Sequence, residues 1–249
     1  MPYLHSSIDA IMKIALIGYG KMGKAIEEIA LQRGHAIILK IDEHNLADFN
    51  QANITAADVA IEFTGPHTAL ENIKKAISFG VPLVCGSTGW TEQLPAIHEL
   101  VTSSNGSFLY ASNFSVGVNI FFELNKKLAA LMAPHKDYQV LLEETHHTQK
   151  KDAPSGTAIT LAEQILDALP QKKQWINAPS DQPEDLEIIS KRIDPAPGTH
   201  SVSYSSSVDT IEIIHTAHNR QGFALGAVLA AEFLAGKKGI FSMKEVLHL

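Results

Sequence analysis

The feature that most limits how this chain can fold is a glycine triplet, Gly18-x-Gly20-x-x-Gly23, set between an apolar run and a helical pattern. Residues 14–17 read as a buried strand. After the triplet, Met22, Ala25, Ile26, Ile29 and Ala30 recur at helical spacing, and Gly34 reads as the residue that closes the helix. A lone triplet is a weak signal, but one at a strand-to-helix turn is much stronger. The first glycine permits the tight turn, the second lets backbone approach a pyrophosphate, and the third lets helix pack closely on strand. A glycine turn without a ligand is the competing reading.

The next strand, residues 36–41, ends at Asp42, Glu43 and His44, where a dinucleotide fold holds the ribose. A carboxylate there accepts hydrogen bonds from ribose hydroxyls, whereas a 2′-phosphate would meet like charge. NADH is therefore expected over NADPH, with Lys40 and His44 able to soften the preference; Asp42 as a plain turn residue is the alternative. Strands at 59–63, 81–85 and 108–111 then alternate with helical stripes carrying Leu70, Ile73 and Ile77, and Leu94, Ile97, Leu100 and Val101. That rhythm means an α/β Rossmann-type, doubly wound parallel sheet, with ligands at the carboxyl ends of its strands. The small-residue loops at Thr64 to Pro66 and at Gly86, Ser87 and Thr88 fall there, and ordinary connecting turns would look similar. The helix after Ser112, Asn113 and Phe114 carries Phe121, Leu124, Leu128 and Leu131, which are expected in a core.

Beyond Pro134 the pattern changes to longer period-two strands at 138–146, 187–193, 199–207 and 210–217. These imply a second, α+β domain with an open, mostly antiparallel sheet. Residues 169–184, with Pro170, Pro179 and Pro183, read as a surface loop, and 220–236 as an apolar helix returning to the first domain.

Ionisable groups concentrate in one stretch. Residues 143–158 hold two histidines, two lysines, three carboxylates and a Pro-Ser-Gly-Thr turn between a strand and an amphipathic helix. Ser155 and Thr157 are candidate caps. Backbone N–H groups at a helix start beside a lysine suit a carboxylate or phosphate, so the stretch reads as an anion-binding, proton-donating loop, against a solvated charged loop.

Composition narrows the partners. A formal net charge of −7 offers no basic stripe for nucleic acid. The single cysteine, Cys85, excludes an intrachain disulfide and a cysteine zinc cluster, and reads as a small buried residue in a reducing compartment. No metal is expected. Residues 1–11 lack the basic and apolar segments of a secretion signal; they read as an extension before a candidate start at Met12, and a cytoplasmic protein is expected.

Taken together, GYGKMG, EFTGP, CGSTGW, ASNFSVGVN, HHTQKKDAPSGTA, GTHSV and HTAHNRQGFALGA resemble the 4-hydroxy-tetrahydrodipicolinate reductase (dihydrodipicolinate reductase) family of lysine and diaminopimelate biosynthesis. The signature E-x-H-x-x-x-K-x-D-x-P-S-G-T-A is met by Glu144, His146, Lys150, Asp152 and residues 154–158. Leu141 stands where the family usually has Glu, Thr148 and Gln149 where basic residues are common, and the segment 192–200 is short. The resemblance implies a dinucleotide-binding domain at 12–116, a substrate-binding and oligomerisation domain at 117–219, a return segment at 220–249, and a homotetramer. It implies hydride transfer to an α,β-unsaturated cyclic imine dicarboxylate, with His146 and Lys150 catalytic and His147, Ser155, Gly156 and Thr157 on the substrate. The implied cofactor set is Gly18, Gly20, Lys21, Met22, Gly23, Asp42, Phe63, Thr64, Gly86, Ser87, Thr88, Ser112, Asn113, Phe114 and Arg220. Another two-domain dehydrogenase would share the first domain without the His146 to Thr157 spacing. A non-catalytic dinucleotide sensor would keep the glycines and could lose His146 or Lys150.

Overall fold

The computed structural model describes residues 10–249, so most of the expected extension lies outside the described residues. In chain order the elements begin with β1 (Lys13–Ile17), α1 (Lys21–Gln32), β2 (Ala36–Ile41), the single turn α2 (Gln51–Ile54), β3 (Val59–Glu62), α3 (Ala69–Ser78), β4 (Leu83–Cys85), α4 (Leu94–Ser103) and β5 (Ser107–Tyr110). They continue with α5 (Val116–Met132), β6 (Gln139–His146), α6 (Gly156–Ala168), β7 (Gln174–Ile176), β8 (Asp185–Arg192), β9 (Gly198–Ser205) and β10 (Thr210–Ala217). Last come α7 (Gln221–Leu234), β11 (Gly239–Phe241) and α8 (Met243–Leu247). The chain divides into two compact units, one containing the chain up to Ser115 with Gln221–His248, the other Val116–Arg220.

The first unit is a parallel sheet in the order β11-β5-β4-β3-β1-β2. Both faces are covered, which is why its central strands are near-continuous apolar runs. Ala15 and Ile17 of β1 face a core shared with α3 and α4, while Ile14 and Leu16 face one shared with α1 and α7. Helix α1 ends as expected: Gly34 takes φ +87°, and the His35 N–H reaches back to the Ala30 carbonyl at 2.9 Å. Gly226 lets α7 lie against the segment before α5, since a Cβ there would collide with the Phe114 carbonyl oxygen. The three-residue strand β11, which the sequence pattern did not reveal, adds a parallel edge beside β5.

The second unit is a sheet in the order β10-β9-β6-β8-β7. Strands β10, β9 and β6 pair antiparallel; β6, β8 and β7 pair parallel, because α6 forms a crossover between β6 and the strands that follow. The segment 169–184 therefore contains β7 as well as loop, and its three strand residues are too few to carry a period. One face of the sheet packs on α5 and α6 through Val140, Leu142, Leu186, Ile188, Val202 and Tyr204. The stripe expected in the core of α5 is corrected. Val118, Phe121, Asn125, Ala129 and Met132 are buried, whereas Leu124 and Leu131 are 51% and 63% exposed. The helix is rotated so that Asn125 is buried, its Nδ2 donating to the Leu161 carbonyl at 3.1 Å and to Gln164 at 3.0 Å while its Oδ1 finds no partner among the described residues.

Candidate functional site

In the first unit β1 pairs with β2 on one side and β3 on the other, so consecutive strands diverge at β1. Such a switch point leaves a crevice beyond the strand ends. A cavity of about 740 Å³ lies there, lined by Gly18, Gly20, Asp42, Glu43, Phe63 and Thr64 among others. The three glycines divide their tasks. A Cβ at Gly18, which takes φ +97°, would collide with the Phe63 carbonyl; one at Gly23 would collide with the Gly18 oxygen; one at Gly20 would meet nothing within 4 Å. Two glycines thus permit close packing and the third leaves open space at a helix start that no side chain caps. A pyrophosphate needs that combination. Tyr19, Leu46, His67, Glu71 and Asn72 line the same cavity and escaped the sequence reading, since only the strand order brings them to Asp42.

Lys40 is already engaged: its Nζ lies 2.6 Å from Glu27 and 4.9 Å from the centre of the Tyr19 ring. The loops after β3 and β4 are tied together, because the Thr64 N–H donates to the Ser87 hydroxyl at 2.9 Å and to the buried Glu62 carboxylate at 3.0 Å. The Cys85 thiol donates to Glu62 at 3.1 Å, and burial with this carboxylate pushes its pKa well up. The Phe63 ring packs on Gly86 and lies 5.5 Å from the Phe114 ring. Phe114 is buried, so its side chain belongs to the core and only its backbone remains for a ligand. Lys21, Thr88, Ser112 and Arg220 are exposed, and Met22 and Asn113 are half-buried.

In the second unit, β6 buries alternate residues. Val140 and Leu142 lie at its start and Glu144 and His146 at its end, on one face. Opposite Glu144 in register stands His200 of β9. The Glu144 carboxylate accepts from the Ser155 N–H at 3.1 and 3.2 Å, from the Ser190 hydroxyl at 2.7 Å and from Arg192 at 3.3 Å. Ser155 caps α6, its hydroxyl accepting from the Ala158 N–H at 3.2 Å and sharing a hydrogen bond with His200 Nε2 at 3.0 Å. Burial alone would raise the Glu144 carboxyl, but His200 at 3.7 Å and hydrogen bonds from Ser155 and Ser190 prevail and hold it well below the usual carboxylate range. Burial pushes His146 down to about 4, Glu144 opposes this, and His200, Lys150 and Arg192 add to it.

Lys150 reaches both oxygens of Asp152 at 2.8 Å, and His147 is half-buried beside it. Gly156 is exposed and Thr157 half-buried in the first turn of α6. Thr148 donates twice to Asp194, from its N–H at 3.1 Å and its hydroxyl at 2.7 Å. Two departures from the expected pattern, Thr148 and the short segment after Arg192, therefore meet each other. One donor atom each from Glu144, His146 and His200 lies within 4.8 Å of the others. Arg192, Ser190 and Ser155 already donate to that carboxylate.

A glycine-lined cavity at the switch point of a parallel sheet, in a chain whose other unit gathers a histidine, a lysine and a capped helix start, places the protein among dinucleotide-dependent oxidoreductases. Comparison with known proteins narrows the class. The family described as "Dihydrodipicolinate reductase, N-terminus" matches residues 12–114, and "Dihydrodipicolinate reductase, C-terminus" matches residues 117–247. A 4-hydroxy-tetrahydrodipicolinate reductase of Christiangramia forsetii is 51% identical over 240 residues, 95% of this chain and 98% of that one. One from Methanosarcina mazei is 37% identical over 241 residues, 95% of this chain and 89% of that one. Among solved structures, a dipicolinate-bound dihydrodipicolinate reductase from Paenisporosarcina sp. TG-14 has the same fold, with a TM-score of 0.73 at 23% identity over 95% of this chain and 99% of that one. This chain belongs to the dihydrodipicolinate reductase family.

Proposed function

We propose that this protein is a 4-hydroxy-tetrahydrodipicolinate reductase that uses NADH in preference to NADPH and acts in the cytoplasm in lysine and diaminopimelate biosynthesis. The observation that carries this reading is the convergence of His146, Lys150 and the Ser155-capped start of α6 on one strand-to-helix connection in a chain of that family. When bound, a nicotinamide dinucleotide supplies a hydride. His146 gives the balancing proton to the reduced ring, a task suited to an imidazole. Lys150 exchanges its hold on Asp152 for a substrate carboxylate, and the N–H groups and hydroxyls of Ser155, Gly156 and Thr157 receive the same dianion, aided by His147. Loss of water from the hydroxy substrate leaves an α,β-unsaturated cyclic imine; hydride and proton together convert it to tetrahydrodipicolinate.

Gly18, Gly20, Lys21, Met22 and Gly23 cradle the pyrophosphate and Asp42 takes the ribose. Phe63, Thr64, Gly86, Ser87 and Thr88, with Ser112, Asn113, the Phe114 backbone and Arg220, serve the nicotinamide end. Glu43 beside Asp42, and the engagement of Lys40 by Glu27, favour a ribose without a 2′-phosphate. A homotetramer formed through the second unit fits that unit's sheet, whose outer face presents Leu141, Ile189 and the 58% exposed Ile214.

The test is a coupled assay in which freshly made 4-hydroxy-tetrahydrodipicolinate is supplied and NADH or NADPH oxidation is followed. The expected result is turnover with the higher kcat/KM for NADH. No oxidation of either cofactor would reject the activity, and a clear NADPH advantage would reject the ribose argument alone.

A further inference from the structure

We propose that Glu144 is a positioning residue for the proton donor: one buried carboxylate, seated on the Ser155 cap, keeps the His146 imidazolium attainable and ties it to the anion-binding turn. This rests on the reading of His146 as the acid.

The arrangement is unusual in its connections. Glu144 Oε2 lies 3.5 Å from His146 Nδ1 and 3.7 Å from His200 Nε2, and the two rings are 5.1 Å apart at a steep angle. His146 Nδ1 is buried with no hydrogen-bond partner among the described residues, and at 3.5 Å it feels the carboxylate's charge without a formed bond. Catalytic hydrogen bonds in ligand-free enzymes are often long and tighten in the reactive complex. The opposite edge of the ring faces Gly198, where a Cβ would come within 3.1 Å of Nε2. The ring is thus oriented with Nδ1 toward Glu144 and Nε2 toward Gly198, whose lack of a side chain leaves that nitrogen uncrowded, and the proposal assigns donation to Nε2.

Charge explains why the carboxylate is needed. The groups acting on His146 come from four places: Glu144 on its own strand, His200 on β9, Arg192 at the end of β8, and Lys150 on the loop. Burial and the three basic groups all oppose an imidazolium, and Glu144 favours it. The Arg192 guanidinium also reaches the Asp152 carbonyl at 2.6 Å, so the carboxylate network extends to the loop that carries Lys150. Arrival of a dianionic substrate at Lys150 and at the start of α6 would add negative charge on the other side of the ring. Glu144 brings the imidazole within reach of that final increment.

The experiment compares wild type, Glu144→Gln, Glu144→Asp and His146→Gln. The kcat–pH profile with NADH is the activity readout, and the ring-nitrogen NMR shifts of His146 with dipicolinate bound are the second readout. His146→Gln first tests the underlying reading: unchanged kcat removes His146 as the acid and the proposal with it. Given the expected loss there, Glu144→Gln should lower kcat at neutral pH roughly 10-fold or more. Its falling limb should move down by about 1–3 pH units, the effect of removing an opposite charge within 6 Å, with little change in KM. Glu144→Asp, which keeps the charge, should restore most of the limb. The His146 titration should follow the same order by NMR. A Glu144→Gln enzyme with the wild-type limb and titration, or one whose loss lies wholly in KM, overturns the proposal. Should Glu144→Gln fail to fold, Glu144→Asp decides alone: its shorter arm draws the charge away from Nδ1, so its falling limb and the His146 titration should move down together by less than about 1 pH unit, and a limb that moves without the titration, or a titration that moves without the limb, rejects the proposal.

Discussion

At the scale of single residues, the loop that carries His147 and Lys150 is held by contacts made to other strands. Thr148 illustrates this. Its hydroxyl and N–H both engage Asp194, and the Ile193 N–H donates to the His146 carbonyl at 2.8 Å, so the turn after β8 is stapled to the end of β6. Thr148→Val removes the hydroxyl bond while keeping shape and the backbone bond. It should raise the KM for the imine substrate roughly 2- to 5-fold, the effect of one exposed hydrogen bond, and leave NADH binding unchanged. Steady-state kinetics with each substrate varied checks this, and a change in NADH affinity alone would contradict the placement of Thr148. The sequence singles out His146 and Lys150 as candidates through the density of ionisable groups in residues 143–158 and the resemblance of that stretch to a family motif. Glu144 and His200 carried no role there, because their meaning depends on a cross-strand register.

At the scale of elements, close approach of backbone decides what a helix can tolerate. Gly226 lies within α7, where alanine would normally stabilise a helix by about 1 kcal/mol. Here the added Cβ would strike the Phe114 carbonyl, a backbone atom that cannot rotate away. Overpacking costs about 1–3 kcal/mol, so the net sign should be destabilising. Urea unfolding of Gly226→Ala should show a lower midpoint at an unchanged slope, and a raised midpoint would mean that α7 shifts freely. The βα alternation of the first unit was readable because buried parallel strands are continuous apolar runs. The stripe on α5 was misread because Leu124 and Leu131 repeat at helical spacing as well as the true core does, and the polar Asn125 hides it. Strands β7 and β11 are too short to show any period.

At the scale of the whole molecule, protonation and stability are linked. Buried His146 has a folded pKa near 4, below the ordinary value of about 6.5, so between these values the unfolded chain binds more protons. Stability from this group is present above about pH 6.5 and is lost as pH falls toward 4. Glu232 acts at lower pH. Burial would raise it, but Arg33 at 2.6 Å and His35 at 2.8 Å hold it below the ordinary range, so its contribution is lost as pH falls through that depressed value. Urea midpoints should therefore drop between pH 7 and pH 5, and His146→Gln should flatten the drop. Trp175 reports on the second unit and Trp90 on the first, so the flattening belongs in the Trp175 signal; an equal effect at Trp90 would deny the assignment. No helix among the described residues is long and apolar enough to cross a membrane. By itself the sequence determined the order of the longer strands and helices, the glycine turn and the loop bearing His146 and Lys150, since periodicity, backbone freedom and side-chain chemistry are local properties. Only the tertiary structure decided which strands became neighbours. It thereby set Asp42 and Glu71 around one cavity, Thr148 against Asp194, and His146 and His200 near one buried carboxylate, because such contacts join residues far apart in the chain through a register that no local pattern encodes.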